Sequence, residues 1–314
     1  ALDDMRCYVE AGFTTFDCAD IYTGVEELIG RFLHRHRHEI RCGDLPPVQV
    51  HTKYVPDLGA LSSLTRADVE RAIDRSLRRL GVERLDLVQF HWWDYDIPGY
   101  VETAAHLQSL HRAGKIRHLG VTNFDVPHLC EILEAGVPLI SNQVQYSALD
   151  HRPEAGTVRL CQRRGLSLLC YGTVAGGFLS GRYFGAPEPT LPLENRSLTK
   201  YKLIIDEFGG WARFQALLEA LDTVAVRHGA SLATVATRYV LQKPGVGAAI
   251  IGARHARHLP DTLRVFDFAL DEEDLAVIGQ MVEHAQGPGG NVYDLERSKG
   301  GKHAAVMKYD LNEE

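Results

Sequence analysis

Apolar positions along the chain switch repeatedly between a helical period and short β-rich runs. Leu2, Met5 and Val9 fall at helical spacing and are stopped by Gly12, after which Phe13 to Cys18 reads as a strand. Val25, Leu28, Ile29, Phe32 and Leu33 mark one face of a helix. Val48 to Lys53 alternates as a strand does. Thr65 with Asp68 predicts a capped helix that turns Val69, Ile73, Leu77 and Leu80 inward and ends at Gly81. The same alternation predicts strand Leu85–His91, helix 101–113, strand Ile116–Thr122 and helix 126–135. It continues with strand Leu139–Gln145, helix 153–164 and strand Leu166–Tyr171. Helix 211–228, a helix from Ser231 to Gln242, strand Ala248–Ile251 and helices near 256–265 and 272–285 complete the pattern.

Strand and helix alternate with no break in composition, which predicts one α/β domain over 1–314. The length of the alternation favours a closed (β/α)8 TIM barrel over an open doubly wound sheet. No GxGxxG follows an early strand, which removes the main sign of a Rossmann fold. The pattern yields seven strands where a barrel has eight, and the first one is the strand apparently missing. An open barrel would expose two sheet edges. The natural chain is therefore expected to begin earlier, by roughly 15 to 40 residues, the usual size of such a unit. The long segment 183–210 is expected to cover a cofactor, and 286–314 to form a tail on the substrate side.

Composition narrows the function. At 45% hydrophobic and 24% charged, the chain is ordinary for a folded domain, so disorder is excluded. Net charge is −7 with no long Lys/Arg run, which speaks against nucleic acid as a partner. No apolar stretch has the 18 or so residues of a membrane span. Six cysteines occur without a CxxC pair and read as reduced thiols of a cytoplasmic protein. His34, His36 and His38 read as a solvated helix end. Oligomeric state leaves no mark.

In a barrel, chemistry gathers at the C-terminal ends of strands. Those ends carry Asp17 with Tyr22, then Lys53, His91, Thr122 with Asn123, Gln143, Tyr171, and Gly252 to Arg254. Singly, each has a plain structural explanation as a cap or a rim residue. Together, a Lys, a His, an Asp and a Tyr at neighbouring strand ends suit proton transfer to a developing alkoxide. Tyr alone, with a reference pKa of about 10, is a poor acid at neutral pH. A nearby Lys⁺ stabilises the phenolate, Asp17 can hold that Lys, and His91 can donate a hydrogen bond to a substrate carbonyl. His91-Trp-Trp-Asp94 with Asp17 carries side chains of metal-ligand type, but no HxH pair ends a strand, so no metal is expected.

The segment GFTTFDCADIYTGVEELIG resembles the aldo-keto reductase signature, and HTKYVP, LDLVQFHWWD and GKIRHLGVTNFD resemble its next three strand ends. NQVQYSALD, CYGTVAGGFLSGRY and IIGARHARHLPDTL continue in the same order, so the resemblance runs from residue 1 to about 285. It implies a (β/α)8 barrel that reduces aldehydes or ketones with NADPH and without metal. The implied tetrad is Asp17, Tyr22, Lys53 and His91, with Tyr22 the general acid in reduction and the base in oxidation. Thr122, Asn123 and Gln143 match the residues that hold the nicotinamide carboxamide, and Tyr171 the ring on which nicotinamide stacks.

Gly172, Thr173 and Val174 stand where the family has Ser-Pro-Leu. With Gly177, Leu179, Gly181 and Arg182 they match the pyrophosphate loop. Gly252, Ala253 and Arg254 match the binding region of the adenosine 2′-phosphate, where Arg254 is suited to phosphate and favours NADP(H). His258 and Thr262 replace the usual Gln and Asn of the adenine contacts. The substrate pocket is expected to be framed by Tyr22, by Trp92 or Trp93, and by the tail after 285. Some relatives are cofactor-binding regulatory or sensor subunits with slow turnover, which is the alternative to an enzyme.

Overall fold

The computed structural model describes residues 1–312 and divides into two compact units. The first holds Ala1–Gln143, Ala253–Ala256 and the described residues 308–312; the second holds Val144–Gly252 and Arg257–Met307.

The first unit contains α1 (Leu2–Glu10), β1 (Thr15–Asp17), α2 (Val25–Arg35), α3 (Arg37–Cys42) and β2 (Gln49–Tyr54). It goes on with α4 (Arg66–Leu80), β3 (Leu85–Phe90), α5 (Tyr100–Arg112), β4 (Ile116–Thr122) and α6 (Val126–Glu134). β5 (Leu139–Gln145) begins here, and its last two residues belong to the second unit. The capping box reads as the sequence predicts: Thr65 Oγ1 accepts from Asp68 N–H, and the Asp68 carboxylate accepts from Thr65 N–H at 2.8 Å. Ile29 and Phe32 of α2 are buried, as are Val69, Ile73 and Leu80 of α4. Burial of one such side chain is worth roughly 1.5–3 kcal/mol. α3 was not foreseen, and it changes the reading of the histidines. His36 is buried, with its ring against Phe32 and Nδ1 2.8 Å from Glu39, so it is no part of a solvated face.

The second unit contains α7 (Thr157–Arg164), β6 (Ser167–Tyr171), α8 (Arg196–Phe208), α9 (Gly210–His228) and α10 (Leu232–Leu241). β7 (Val246–Ile250), α11 (Leu259–Leu263) and α12 (Glu272–Glu283) complete it. α8 lies inside the segment expected as a long loop. Asn195 caps it by accepting Leu198 N–H at 2.9 Å, and Leu198, Tyr201, Ile204, Ile205 and Phe208 form its buried face. Pro187, Pro189 and Pro192 just before it mask the helical period in the sequence.

The sheet runs β1-β2-β3-β4-β5-β6-β7 in chain order. The pairings β1–β2, β2–β3, β3–β4, β4–β5 and β6–β7 are parallel. Among the described residues, seven strands in sequential order, alternating with helices, place the fold in the (β/α)8-barrel class.

Candidate active site

The hydrogen-bond ladder between β1 and β2 continues past the end of β1. Cys18 N–H donates to His51 O at 2.8 Å, and Asp20 N–H to Lys53 O at 3.3 Å. Both carboxylate oxygens of Asp20 lie 3.2 Å from Val55 N. The turn that carries Tyr22 is thus pinned to the strand that carries Lys53. Burial pushes the Asp20 carboxyl up to about 8, despite the Val55 N–H and the nearby Arg75 guanidinium.

Lys53 is buried, and its ammonium donates to Asp17 Oδ2 at 2.6 Å and to Cys18 O at 2.8 Å. The same nitrogen stands 5.3 Å from the Tyr22 ring centroid, while Tyr22 itself is 44% exposed. Burial disfavours the Lys53 charge, but Tyr22 and Asp17 outweigh it and hold the ammonium above its ordinary pKa. The result is a fixed positive charge under an accessible phenol.

The other oxygen of Asp17 accepts from Gln89 Nε2 at 3.0 Å and from Gln143 Nε2 at 2.7 Å, and Gln143 also donates to Gln89 Oε1 at 2.9 Å. Gln89 is fully buried and was missed by the sequence reading. The signal was a lone amide inside the apolar run Leu85–Phe90, which only a buried partner accounts for. Gln143 was expected to hold a carboxamide; here its amide nitrogen is committed to Asp17 and Gln89.

His91 follows β3, and its backbone N–H donates to Tyr54 O at 3.0 Å. Its Nδ1 lies 2.9 Å from Thr122 O. A carbonyl only accepts, so Nδ1 carries the proton. Donation from Nε2 to a substrate then requires a second proton, making the ring an imidazolium. Trp93 meets the His91 ring edge-on at 4.4 Å, and Tyr309 meets Trp93 the same way at 5.2 Å. Trp92 is fully buried and donates Nε1–H to Asp94 O and Ile97 O at 2.9 and 3.0 Å, so it belongs to the core. Thr122 Oγ1 donates to Gln143 O at 3.2 Å. Asn123, with a left-handed φ of 57°, donates its N–H to the same carbonyl at 2.8 Å.

In the second unit, Tyr171 ends β6 and its carbonyl accepts from Tyr146 N–H at 3.1 Å. Gly172 to Gly177 follow as a tight turn, in which Val174 O accepts from Gly177 and Leu179 N–H. Thr173 Oγ1 is buried and has no hydrogen-bond partner among the described residues. Among the described residues, nothing lies within 4 Å of the Cβ positions of Gly177, Gly181 or Gly252. An orphaned hydroxyl and side-chain-free backbone suit a polar ligand rich in acceptors, and so fit a phosphate-bearing cofactor. Leu179 is fully buried and packs, while exposed Arg182 pairs with Glu194 at 3.4 Å.

Beyond β7, Ala253 and Arg254 belong to the first unit. There Ala256 N–H donates to Asp4 Oδ1 at 2.8 Å and Tyr8 Oη to His255 O at 3.3 Å, which ties this loop to α1. Arg254 is exposed and has no ion-pair partner among the described residues. His258 and Thr262 lie in the second unit and bond within their own segment, His258 to Arg257 at 3.0 Å and Thr262 Oγ1 to His258 O at 2.9 Å.

The family model described as the Aldo/keto reductase family matches residues 1–283. The chain belongs to the aldo/keto reductase family. It is thereby placed among oxidoreductases. It is 31% identical over 257 residues to flagellar radial spoke protein 5 of Chlamydomonas reinhardtii, covering 70% of this chain but only 48% of that one. It is 28% identical over 293 residues to the aldo-keto reductase YhdN of Bacillus subtilis, covering 90% and 84% of the two chains. Among solved structures, the glycerol dehydrogenase of Gluconobacter oxydans superposes with a TM-score of 0.76 at 25% identity, covering 92% of this chain and 87% of that one. Among the described residues, no helix of this aldo/keto reductase is long and apolar enough to cross a membrane.

Proposed function

We propose that this aldo/keto reductase is an NADPH-dependent reductase of aldehydes or ketones, in which Tyr22 is the proton donor. The observation that carries the proposal is the Lys53 ammonium, set 2.6 Å from Asp17 Oδ2 and 5.3 Å from the Tyr22 ring. When bound, a nicotinamide cofactor supplies a hydride. The chain's own residues handle the proton and the charge. As negative charge grows on the carbonyl oxygen, Tyr22 Oη gives up its proton. Lys53 stabilises the phenolate that remains, in a buried setting where one fixed charge is strong. Asp17 holds Lys53 in place, and Gln89 and Gln143 hold Asp17. His91, as an imidazolium, donates from Nε2 to the carbonyl oxygen and orients it. In the oxidation direction Tyr22 takes the proton back.

Thr122 and Asn123 would hold the carboxamide of the cofactor, Tyr171 its nicotinamide ring, and Gly172 to Gly177 with Thr173 its pyrophosphate. Arg254 would meet the 2′-phosphate, which favours NADP(H) over NAD(H). Trp93, beside His91, and Tyr309, beside Trp93, would frame the substrate and favour aromatic or medium aliphatic carbonyls. The six free thiols fit work in the reducing cytoplasm. The test is steady-state oxidation of NADPH with a panel of aldehydes and quinones. Turnover supports the proposal, whereas tight cofactor binding without turnover on any of them would refute it.

A further inference from the structure

Beside Tyr171, the second unit holds a group of buried charges that the proposed mechanism does not use. Lys200 of α8 places its ammonium 5.0 Å from the Tyr171 ring centroid and 5.9 Å from that of Tyr201. The nitrogen is fixed by Glu296 Oε1 at 3.2 Å. Glu296 in turn faces Arg152 at 3.3 Å and Arg297 at 3.7 Å, and Arg152 is paired with Asp150 at 2.7 Å. Glu296 is thus shared between Lys200 and two guanidinium groups.

α8 is built onto this part of the protein. A Cβ at Gly172 would stand 2.7 Å from Tyr201 Oη, and one at Gly176 would stand 2.8 Å from the Tyr201 ring. Both glycines have left-handed φ, 74° and 65°. Tyr201 thus packs directly on the backbone of the turn after β6, and Lys200, the neighbouring residue, is carried to the Tyr171 ring. The charge also sits where it acts most strongly, since the Lys200 side chain is only 18% exposed.

We propose that Lys200 acts through Tyr171 to make the protein favour the reduced nicotinamide over the oxidised one. The inference rests on the reading that Tyr171 stacks on the nicotinamide ring. The oxidised ring carries a positive charge and the reduced ring is neutral. An aromatic ring attracts a cation through its electron-rich face, and a cation already held against that ring weakens its pull on a second. The two positive charges also repel each other through a medium of low effective dielectric. Lys200 therefore opposes binding of the oxidised form and leaves the neutral form nearly untouched, which suits an enzyme working in the direction of reduction. Lys200 is a positioning and tuning residue, not a catalytic one.

The experiment measures dissociation constants of NADP⁺ and NADPH, and of NAD⁺ and NADH, by quenching of protein fluorescence. The proteins are the wild type, Lys200→Met, Lys200→Arg and Tyr171→Leu. Lys200→Met keeps the length of the side chain and leaves Glu296 its two guanidinium partners, so folding is expected to survive. It should tighten the oxidised form about fivefold relative to the reduced form, and Lys200→Arg should restore the native ratio. Tyr171→Leu should weaken both forms. If Tyr171→Leu weakens both forms while Lys200→Met leaves the ratio unchanged, or weakens both forms equally, the role of Lys200 is overturned and stacking stands. If Tyr171→Leu changes neither affinity, stacking falls and the role of Lys200 falls with it.

Discussion

Asp17 holds Lys53 with one carboxylate oxygen, at 2.6 Å, and uses the other to accept from two glutamine side chains. A charge-assisted bond of that length inside the protein fixes the ammonium relative to the phenol of Tyr22. Asp17→Asn is expected to lower kcat by about 10²-fold, within the usual range for losing acid–base tuning. It should also lower the melting temperature, because it strands a buried ammonium. Steady-state kinetics and a thermal melt on the same variant check both.

Gln89 gives a graded version of the same test. Gln89→Leu keeps the volume and removes one of the two donors to Asp17 and the acceptor for Gln143. A loss of about tenfold in kcat is expected, with cofactor affinity unchanged, since one hydrogen bond to a charged group is worth about 1.5–3 kcal/mol at most. Cofactor titration and kcat, measured side by side, separate this from a folding defect.

Much of this site was legible in the sequence, and the reason is geometric. Asp17 ends β1, Lys53 stands one residue before the end of β2 and His91 follows directly on β3, so reading strand ends in order finds all three without coordinates. What was not legible depends on contacts between distant segments. Nothing local says that Gln89 meets Asp17, or that Gln143 spends its amide nitrogen there. The tautomer of His91 depends on the Thr122 carbonyl from the next strand. That Trp92 belongs to the core depends on its indole meeting the carbonyls of Asp94 and Ile97. α8 was hidden by the prolines before it, and with it the contact of Lys200 with Tyr171.

Asp20 predicts a pH dependence of stability. Its carboxyl is raised in the folded protein from 3.8 to about 8, chiefly by burial. A group raised in this way contributes stability that is fully present below its unfolded pKa and is lost as the pH rises through the folded value. The melting temperature is therefore expected to fall from about pH 4 to pH 8, between the unfolded and folded values, and to level off above. Asp20→Asn keeps an acceptor for Val55 N–H but cannot ionise, so its melting temperature should vary less over the same window. Thermal melts of both proteins across that range check it.

Arg254 is exposed on the loop after β7 and is proposed to meet the 2′-phosphate. Arg254→Ala should weaken NADPH about tenfold or more, the worth of a charge-assisted contact, and change NADH by less than twofold. Equal effects on the two cofactors would remove that role.

The central claim is that Tyr22 gives its proton to the developing alkoxide, and Tyr22→Phe tests it most directly. The phenyl ring keeps the contact with Lys53 and loses only the hydroxyl. The variant should bind NADPH as the native protein does, while its turnover with every carbonyl substrate falls by about 10³-fold, the scale of losing a general acid. Near-native turnover in Tyr22→Phe, with cofactor binding intact, would contradict it.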